Sequence, residues 1–246
     1  MKWLQAIRNN VPKHKYAINT HILGDHNELA WSNLGYWEDA TSSYPEACQV
    51  LADQLTQSLE LTSEHHLLDL ACGQGASLVH WQNNYHIHKI SAVELQQECV
   101  QNIQAKLFPS VDIHCESFLN LKTISFQQKF DVAVCIDAAY HCNLNSLQKK
   151  KYKWLLKAAD VNLEHLMMHQ EMTQTLEKNE FKDVQIVDLS KQVFAGFANY
   201  VKDVLNLNTR TNKLDSFKIE MTAKLCSKLY EDGLVKYVQV TAKNNN

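Results

Sequence analysis

The sequence is poor in glycine, with six in 246 residues against a usual share of roughly 7%, so any clustering among so few carries information. It has no apolar stretch approaching the ~20 residues of a membrane span, which excludes a transmembrane helix of ordinary length. Its start, Met1-Lys2-Trp3-Leu4, lacks a signal peptide's apolar core. It has no excess of positive charge: 24 Lys and Arg against 27 Asp and Glu leave a net charge of −3, without the basic footprint of a nucleic-acid binder. Seven cysteines, odd in number and without C-x-x-C spacing, read as reduced thiols in a cytoplasmic protein. These absences leave a protein for a small-molecule substrate, and the length suits a single domain over residues 1 to 246, with a helical cap over 1 to 60 and a core over 61 to 246.

Two of the six glycines fall within three positions of each other, at the end of the run His66-Leu67-Leu68-Asp69-Leu70-Ala71-Cys72-Gly73-Gln74-Gly75. The run reads as a buried parallel strand entering a glycine turn. Glycine allows positive φ and lets a ligand approach without a Cβ in the way, and a helix opening at Ala76 would aim its amides at that ligand. A nicotinamide or flavin fingerprint needs a third glycine where this chain has Leu78. That substitution weakens the rival reading of an NAD-type oxidoreductase. A second apolar run, Lys89-Ile90-Ser91-Ala92-Val93-Glu94, ends on a carboxylate able to accept from both hydroxyls of a ribose. Strands are predicted over 66–72, 89–95, 111–117 and 130–137, with helices over 76–84 and 96–107 between them and a helix over 44–59 before them. Such alternation predicts an α/β fold, a doubly wound, mostly parallel sheet with helices on both faces.

With its acid-x-x-x-Gly-x-Gly turn and the acid closing the second strand, the chain resembles the class I (Rossmann-like) S-adenosylmethionine-dependent methyltransferases, over roughly residues 28 to 140 and more loosely 160 to 200. The resemblance implies S-adenosyl-L-methionine as cofactor and a small-molecule acceptor. It assigns Gly73, Gln74 and Gly75 to the methionine portion with Asp69 beneath the turn, Glu94 to the ribose, and Glu116 with Ser117 to the adenine, and Leu95 joins the cofactor-binding set. Asp137 closes the fourth strand and joins the cofactor set. The segment after it, Ala138-Ala139-Tyr140-His141, is similar to the one that presents side chains to the transferred methyl, which makes His141 the candidate base and Tyr140 the residue orienting the acceptor. Upstream, Leu34-Gly35-Tyr36-Trp37 is similar to the L-G-Y-W segment of methyltransferases acting on small lipophilic acceptors, where it folds over the cofactor as a lid. Aromatic faces at Tyr36 and Trp37 would attract a sulfonium by about 0.5 to 2 kcal/mol; the plainer reading is that they pack the helical cap.

Beyond His141 the pattern departs from the family. No glycine occurs between Gly75 and Gly196, and the Lys-Pro-Gly-Gly-like turn and fifth strand are missing. The later run through Glu180-Phe181-Lys182-Asp183-Val184 resembles the family's late helix, its G-F-x-x-V step with Glu180 in the glycine position, and the sixth strand; residues 234 to 242 supply a last antiparallel strand. Two closures are then expected: residues 164 to 169 substitute as a short strand, or six strands close with the last beside the fourth. An exposed sheet edge would favour a homodimer. The departure also supports an alternative, a non-catalytic methyltransferase-like protein that binds cofactor or a partner. His165-x-x-x-His169 has the spacing of two helical metal ligands but lacks the adjacent Glu of a metalloprotease, and the expectation is no metal.

Overall fold

The computed structural model describes residues 19–138, 169–207, 213–233 and 235–244. Helix α1, Tyr44–Leu59, has Pro45 in its first turn, where a missing amide costs no hydrogen bond, and the Glu46 carboxylate accepts from the Ser42 amide and hydroxyl at 2.8 and 2.9 Å. There follow β1 (His66–Leu70), α2 (Ala76–Tyr85), β2 (Lys89–Glu94), α3 (Gln97–Leu107) and β3 (Val111–Cys115). A 3-10 turn over Phe118–Thr123 then leads to β4 (Val132–Cys135). The four strands pair in parallel in the order β3-β2-β1-β4, with Leu67 of β1 opposite both Ile90 and Val132.

The apolar runs dictate this arrangement. A parallel strand covered by helices on both faces must be apolar on both, and β2 is buried at every position after Lys89. On α2, Leu78 and Trp81 are fully buried and join Leu67, Ile90 and Ile103 in one core cluster. Burying a side chain of that size contributes roughly 2–3 kcal/mol, and the one polar atom of Trp81 is satisfied: its indole N–H donates to Asp69 Oδ2 at 2.8 Å. Side chains of α1 and α2 are tied by Asp53, whose Oδ1 lies 2.7 Å from His80 Nε2 and accepts from the Tyr85 hydroxyl at 2.6 Å.

The carboxy-terminal half adds α4 (His169–Lys178), β5 (Phe181–Asp188), a π turn at Lys191–Ala195, α5 (Gly196–Leu207), α6 (Lys213–Asp232) and β6 (Val238–Asn244). Glu180, at the step where the resemblance implies glycine, has φ 68, a left-handed backbone that glycine adopts without strain. The six-strand closure with the last strand beside the fourth is not what the described residues form. β6 pairs antiparallel with β5 as a separate two-stranded sheet, with a register shift between Lys182 and Gln185. β6 is held instead toward α1, where the Gln239 amide donates to Gln54 O and Ser58 Oγ at 3.3 and 2.7 Å. The other expected closure rests on residues 164–168, which lie outside the described residues, and His169 opens α4. Among the described residues no helix is long and apolar enough to cross a membrane.

Candidate functional site

The turn after β1 alternates into the left-handed region at Ala71, Gly73 and Gly75, with φ of 59, 59 and 92. Two amides pin it to β2, those of Ala71 and Cys72 donating to Val93 O at 2.8 and 3.3 Å. Gly75 precedes the first residue of α2, and a Cβ there would lie 2.7 Å from Ile103 Cγ1 on α3. A Cβ on Gly73 would lie 2.5 Å from the Ser32 hydroxyl. Positive φ and close approach therefore both demand glycine at these two positions. Glu94 closes the same corner: its Oε2 accepts from the Gly73 amide at 3.0 Å and its Oε1 from the Gln96 amide at 2.9 Å.

A cavity of about 300 Å³ opens at the carboxyl ends of the parallel strands, bounded by Gly73, Gln74, Glu94, Glu116, Ser117 and Asp137. Apolar walls come from Leu95, Phe118, Leu119 and Ile136. Among the described residues its charged lining groups are Glu94, Glu116 and Asp137, all acidic. Burial raises the carboxyl of Asp137 to about 6 against hydrogen bonds from the Leu34 amide and the Tyr237 side chain, which pull it down. Glu116 turns back on its own loop, accepting from the Ser117 amide at 2.7 Å and the Thr123 hydroxyl at 3.0 Å, and these bonds hold its carboxyl below the ordinary value.

Asp69 does not reach this cavity. It sits 1% exposed beneath the turn, where burial raises its carboxyl from 3.8 to about 6 against the opposing hydrogen bonds of Trp81 and Ser77. A carboxyl raised in this way takes up a proton on folding. Its contribution favours the fold below pH ~4 and is lost as pH climbs through about 6, leaving the ionised form a cost of ~3 kcal/mol at neutral pH. Asp69→Asn keeps an acceptor for Trp81 and removes the charge. We expect it to raise the melting temperature by several degrees at pH 7.5 and by almost nothing at pH 4; a lower melting temperature at pH 7.5 would show that the charge stabilises the fold.

A strap over residues 25–37 crosses the turn. Its root is Asp25, fully buried, whose carboxylate accepts from the Asn27 and Trp31 amides at 3.1 and 2.8 Å. Asn33 folds on itself, its Oδ1 accepting from the Gly35 amide at 2.9 Å while its carbonyl accepts from the Tyr44 hydroxyl at 2.7 Å. The Leu34 amide donates to Asp137 Oδ2 at 3.0 Å. At the far end Trp37 turns away from the cavity. Its ring stacks on Tyr200 at 4.2 Å, its indole N–H donates to Leu34 O at 2.9 Å, its amide donates to Gln192 O on the π turn, and its Cβ lies where any side chain on Gly196 would collide. Tyr36 is half-buried, with its amide on Ala47 O at 2.8 Å.

The structure thus gathers Gly73, Gln74, Glu94, Leu95, Glu116, Ser117 and Asp137 around one cavity, sets Asp69 and Gly75 behind it, and leaves Tyr36 and Trp37 among the strap's packing contacts. His141 and Tyr140 lie outside the described residues, as does His165. Sequence reasoning missed Ser32, which lines the cavity, and the Leu34 amide. Among the described residues no group of three or more His, Cys, Asp or Glu is placed to hold a metal.

A parallel sheet of this order, a glycine turn after β1 and an acid closing β2 define the Rossmann-like class that binds adenosyl cofactors across its carboxyl edge. The chemistry of the lining separates the cofactors. A nicotinamide dinucleotide brings a diphosphate, which the carboxylates would repel, whereas S-adenosylmethionine brings a sulfonium and an ammonium, which they attract. The family model described as a methyltransferase domain matches residues 67–158. The O-methyltransferase resE of Aspergillus sclerotiorum is 28% identical over 116 residues, an alignment covering 44% of this chain and 43% of that protein, so the chain matches less than half of that relative's length. Among solved structures, a cyclopropane synthase of Mycobacterium tuberculosis superposes with a TM-score of 0.69 at 13% identity, covering 92% of this chain and 94% of that one. The geranyl diphosphate C-methyltransferase of Streptomyces coelicolor, solved with S-adenosyl-L-homocysteine, gives 0.69 at 15% identity, covering 98% of each chain. At those identities the likeness is one of fold. Residues 67–158 thus match a methyltransferase domain, and the fold that carries them is that of the Rossmann-like, class I methyltransferases.

Proposed function

We propose that this protein transfers the methyl group of S-adenosylmethionine to a small lipophilic or aromatic acceptor. The observation that carries the reading is the acidic lining that the described residues give the cavity at the carboxyl edge, clamped at Glu94 between the Gly73 and Gln96 amides. The sulfonium supplies an electrophilic methyl. The protein's own part is positional: Glu94 offers carboxylate oxygens to the ribose, Glu116 and Ser117 bound the adenine end, and the strap covers the turn and excludes water. Holding donor and acceptor in attack geometry is the main contribution available without a metal, about 7–11 kcal/mol in well-oriented systems.

The acceptor class is supported by the apolar walls at Leu95, Phe118, Leu119 and Ile136 and by the company the fold keeps, which includes an O-methyltransferase relative and a geranyl diphosphate C-methyltransferase neighbour. His141 would take the acceptor's proton and Tyr140 would orient it, since an imidazole titrates near working pH; these two roles rest on sequence position alone. The test is transfer of labelled methyl from S-adenosylmethionine to small apolar molecules of a cell extract. Label in an organic-extractable product, at a rate lowered in His141→Ala with donor affinity unchanged, supports the proposal. Saturable donor binding with no labelled product from any extract would leave a cofactor-binding scaffold in its place.

A further inference from the structure

Asp137 stands where separate parts of the chain meet. Its Oδ2 accepts the Leu34 amide of the strap at 3.0 Å, a bond between residues 103 apart in sequence. The Tyr237 side chain, from the approach to β6, bonds to it as well. Tyr44 and Cys48 of α1 and Cys226 of α6 face it. Its backbone is left-handed with φ 55, a strained conformation for a residue with a side chain, which persists only where the surroundings fix it. The same residue lines the cofactor cavity. It is followed, after Ala138 and Ala139, by Tyr140 and His141.

We infer that Asp137 is a positioning residue: by holding the Leu34 amide it keeps the strap closed over the cofactor turn and ties that closure to the carboxyl end of β4. What the strap encloses rests on the cofactor reading above; the latch itself does not. The strap crosses the turn with the Ser32 hydroxyl pressed on Gly73, and the Leu34 amide follows two residues later, so a bond at Leu34 sets how closely Ser32 can sit. Without its acceptor, that amide would have to find water, and the strap would lift from the turn.

The latch also carries a pH dependence. A hydrogen bond to an ionised carboxylate is stronger than one to its neutral form. Burial places the Asp137 carboxyl at about 6, so the bond is charge-assisted at pH 7.5 and weakens as pH falls through that value. Among the described residues, three titratable groups coupled to it stay neutral across that range: burial holds Tyr44 well above 10, and Cys48 and Cys226 well above 9, while Tyr237 contributes a hydrogen bond. Asp25 faces Tyr44 and Cys48 from the strap's root.

Amide hydrogen exchange of Leu34, followed by NMR on the full chain without cofactor and referenced to intrinsic exchange, tests the latch directly. Protection in the unsubstituted protein should fall at least tenfold between pH 7.5 and pH 5. In Asp137→Asn, which keeps an acceptor oxygen without the charge, protection should be lower at pH 7.5 and flat with pH. In Asp137→Ala it should be lost, and S-adenosylhomocysteine should dissociate at least tenfold faster. Leu34 protection that is unchanged by pH, and unchanged in Asp137→Asn, overturns the inference even if the alanine variant fails to fold. Failure of every variant to bind S-adenosylhomocysteine would sink the cofactor reading, while the exchange result would still decide the latch.

Discussion

Glu94→Gln should weaken S-adenosylmethionine binding by roughly 100-fold while leaving the protein folded. Both carboxylate oxygens accept backbone amides, from Gly73 at 3.0 Å and Gln96 at 2.9 Å, and the ribose hydroxyls would bond to the same two oxygens. An amide has one acceptor oxygen and presents N–H donors on the other side, so it cannot serve both backbone amides and both hydroxyls. Hydrogen bonds to charged groups contribute about 1.5–3 kcal/mol each, and tenfold in affinity is ~1.4 kcal/mol, which places the loss near two decades. One backbone amide meets the NH₂ of the new side chain instead of an oxygen, which should lower stability by about 1–3 kcal/mol. Calorimetry and thermal melting on the same sample measure both. An affinity within threefold of the unsubstituted protein would remove Glu94 from the cofactor site.

Gly75→Ala should lower the melting temperature by roughly 5–15 °C and the affinity for S-adenosylmethionine by more than tenfold. Two costs add at this position. A left-handed backbone costs a residue with a Cβ about 1–2 kcal/mol, and here φ is 92. The new methyl would also lie 2.7 Å from Ile103 Cγ1 and 3.0 Å from its Cδ1, and overpacking of this kind costs about 1–3 kcal/mol. Relief requires α2 and α3 to separate, which displaces the turn that bears Gly73. Gly233 provides the control, since its φ is 60 but a Cβ there meets nothing within 4 Å. Gly233→Ala should show the backbone cost alone and leave affinity untouched. Equal effects from the two substitutions would mean that the approach of Ile103 to the turn does not matter.

The contrast between these positions explains what was legible in the sequence. Gly73, Gly75 and Glu94 could be read because their geometry is local: an apolar run, a turn and a second run ending in an acid fix a strand-turn-helix-strand unit within thirty or so residues. Trp37 could not. Its aromatic face fitted a cation as well as it fitted a neighbour, and the neighbours that claim it, Tyr200 and Gly196, lie far along the chain. A signal was nevertheless present, because Gly196 is the one glycine between Gly75 and Gly233 and an isolated glycine beside helix-forming residues marks a close approach. Ser32 and the Leu34 amide left no signal of this kind, since a serine hydroxyl over a glycine and a backbone donor carry no residue-type signature. The pairing of β6 with β5 escaped for a different reason. Strand partnership is decided by non-local registry, and the apolar alternation of 238–244 suits a place beside β4 as well as one beside β5.

The function proposed for this protein requires that the acidic cavity take S-adenosylmethionine. Calorimetric titration of the purified protein at pH 7.5 with S-adenosylmethionine, S-adenosylhomocysteine and NADH decides it. Saturable one-site binding of both adenosyl ligands, with no heat from NADH, is the predicted result. A folded sample that takes NADH, or that takes none of the three, would contradict the assignment of the cavity at the carboxyl edge.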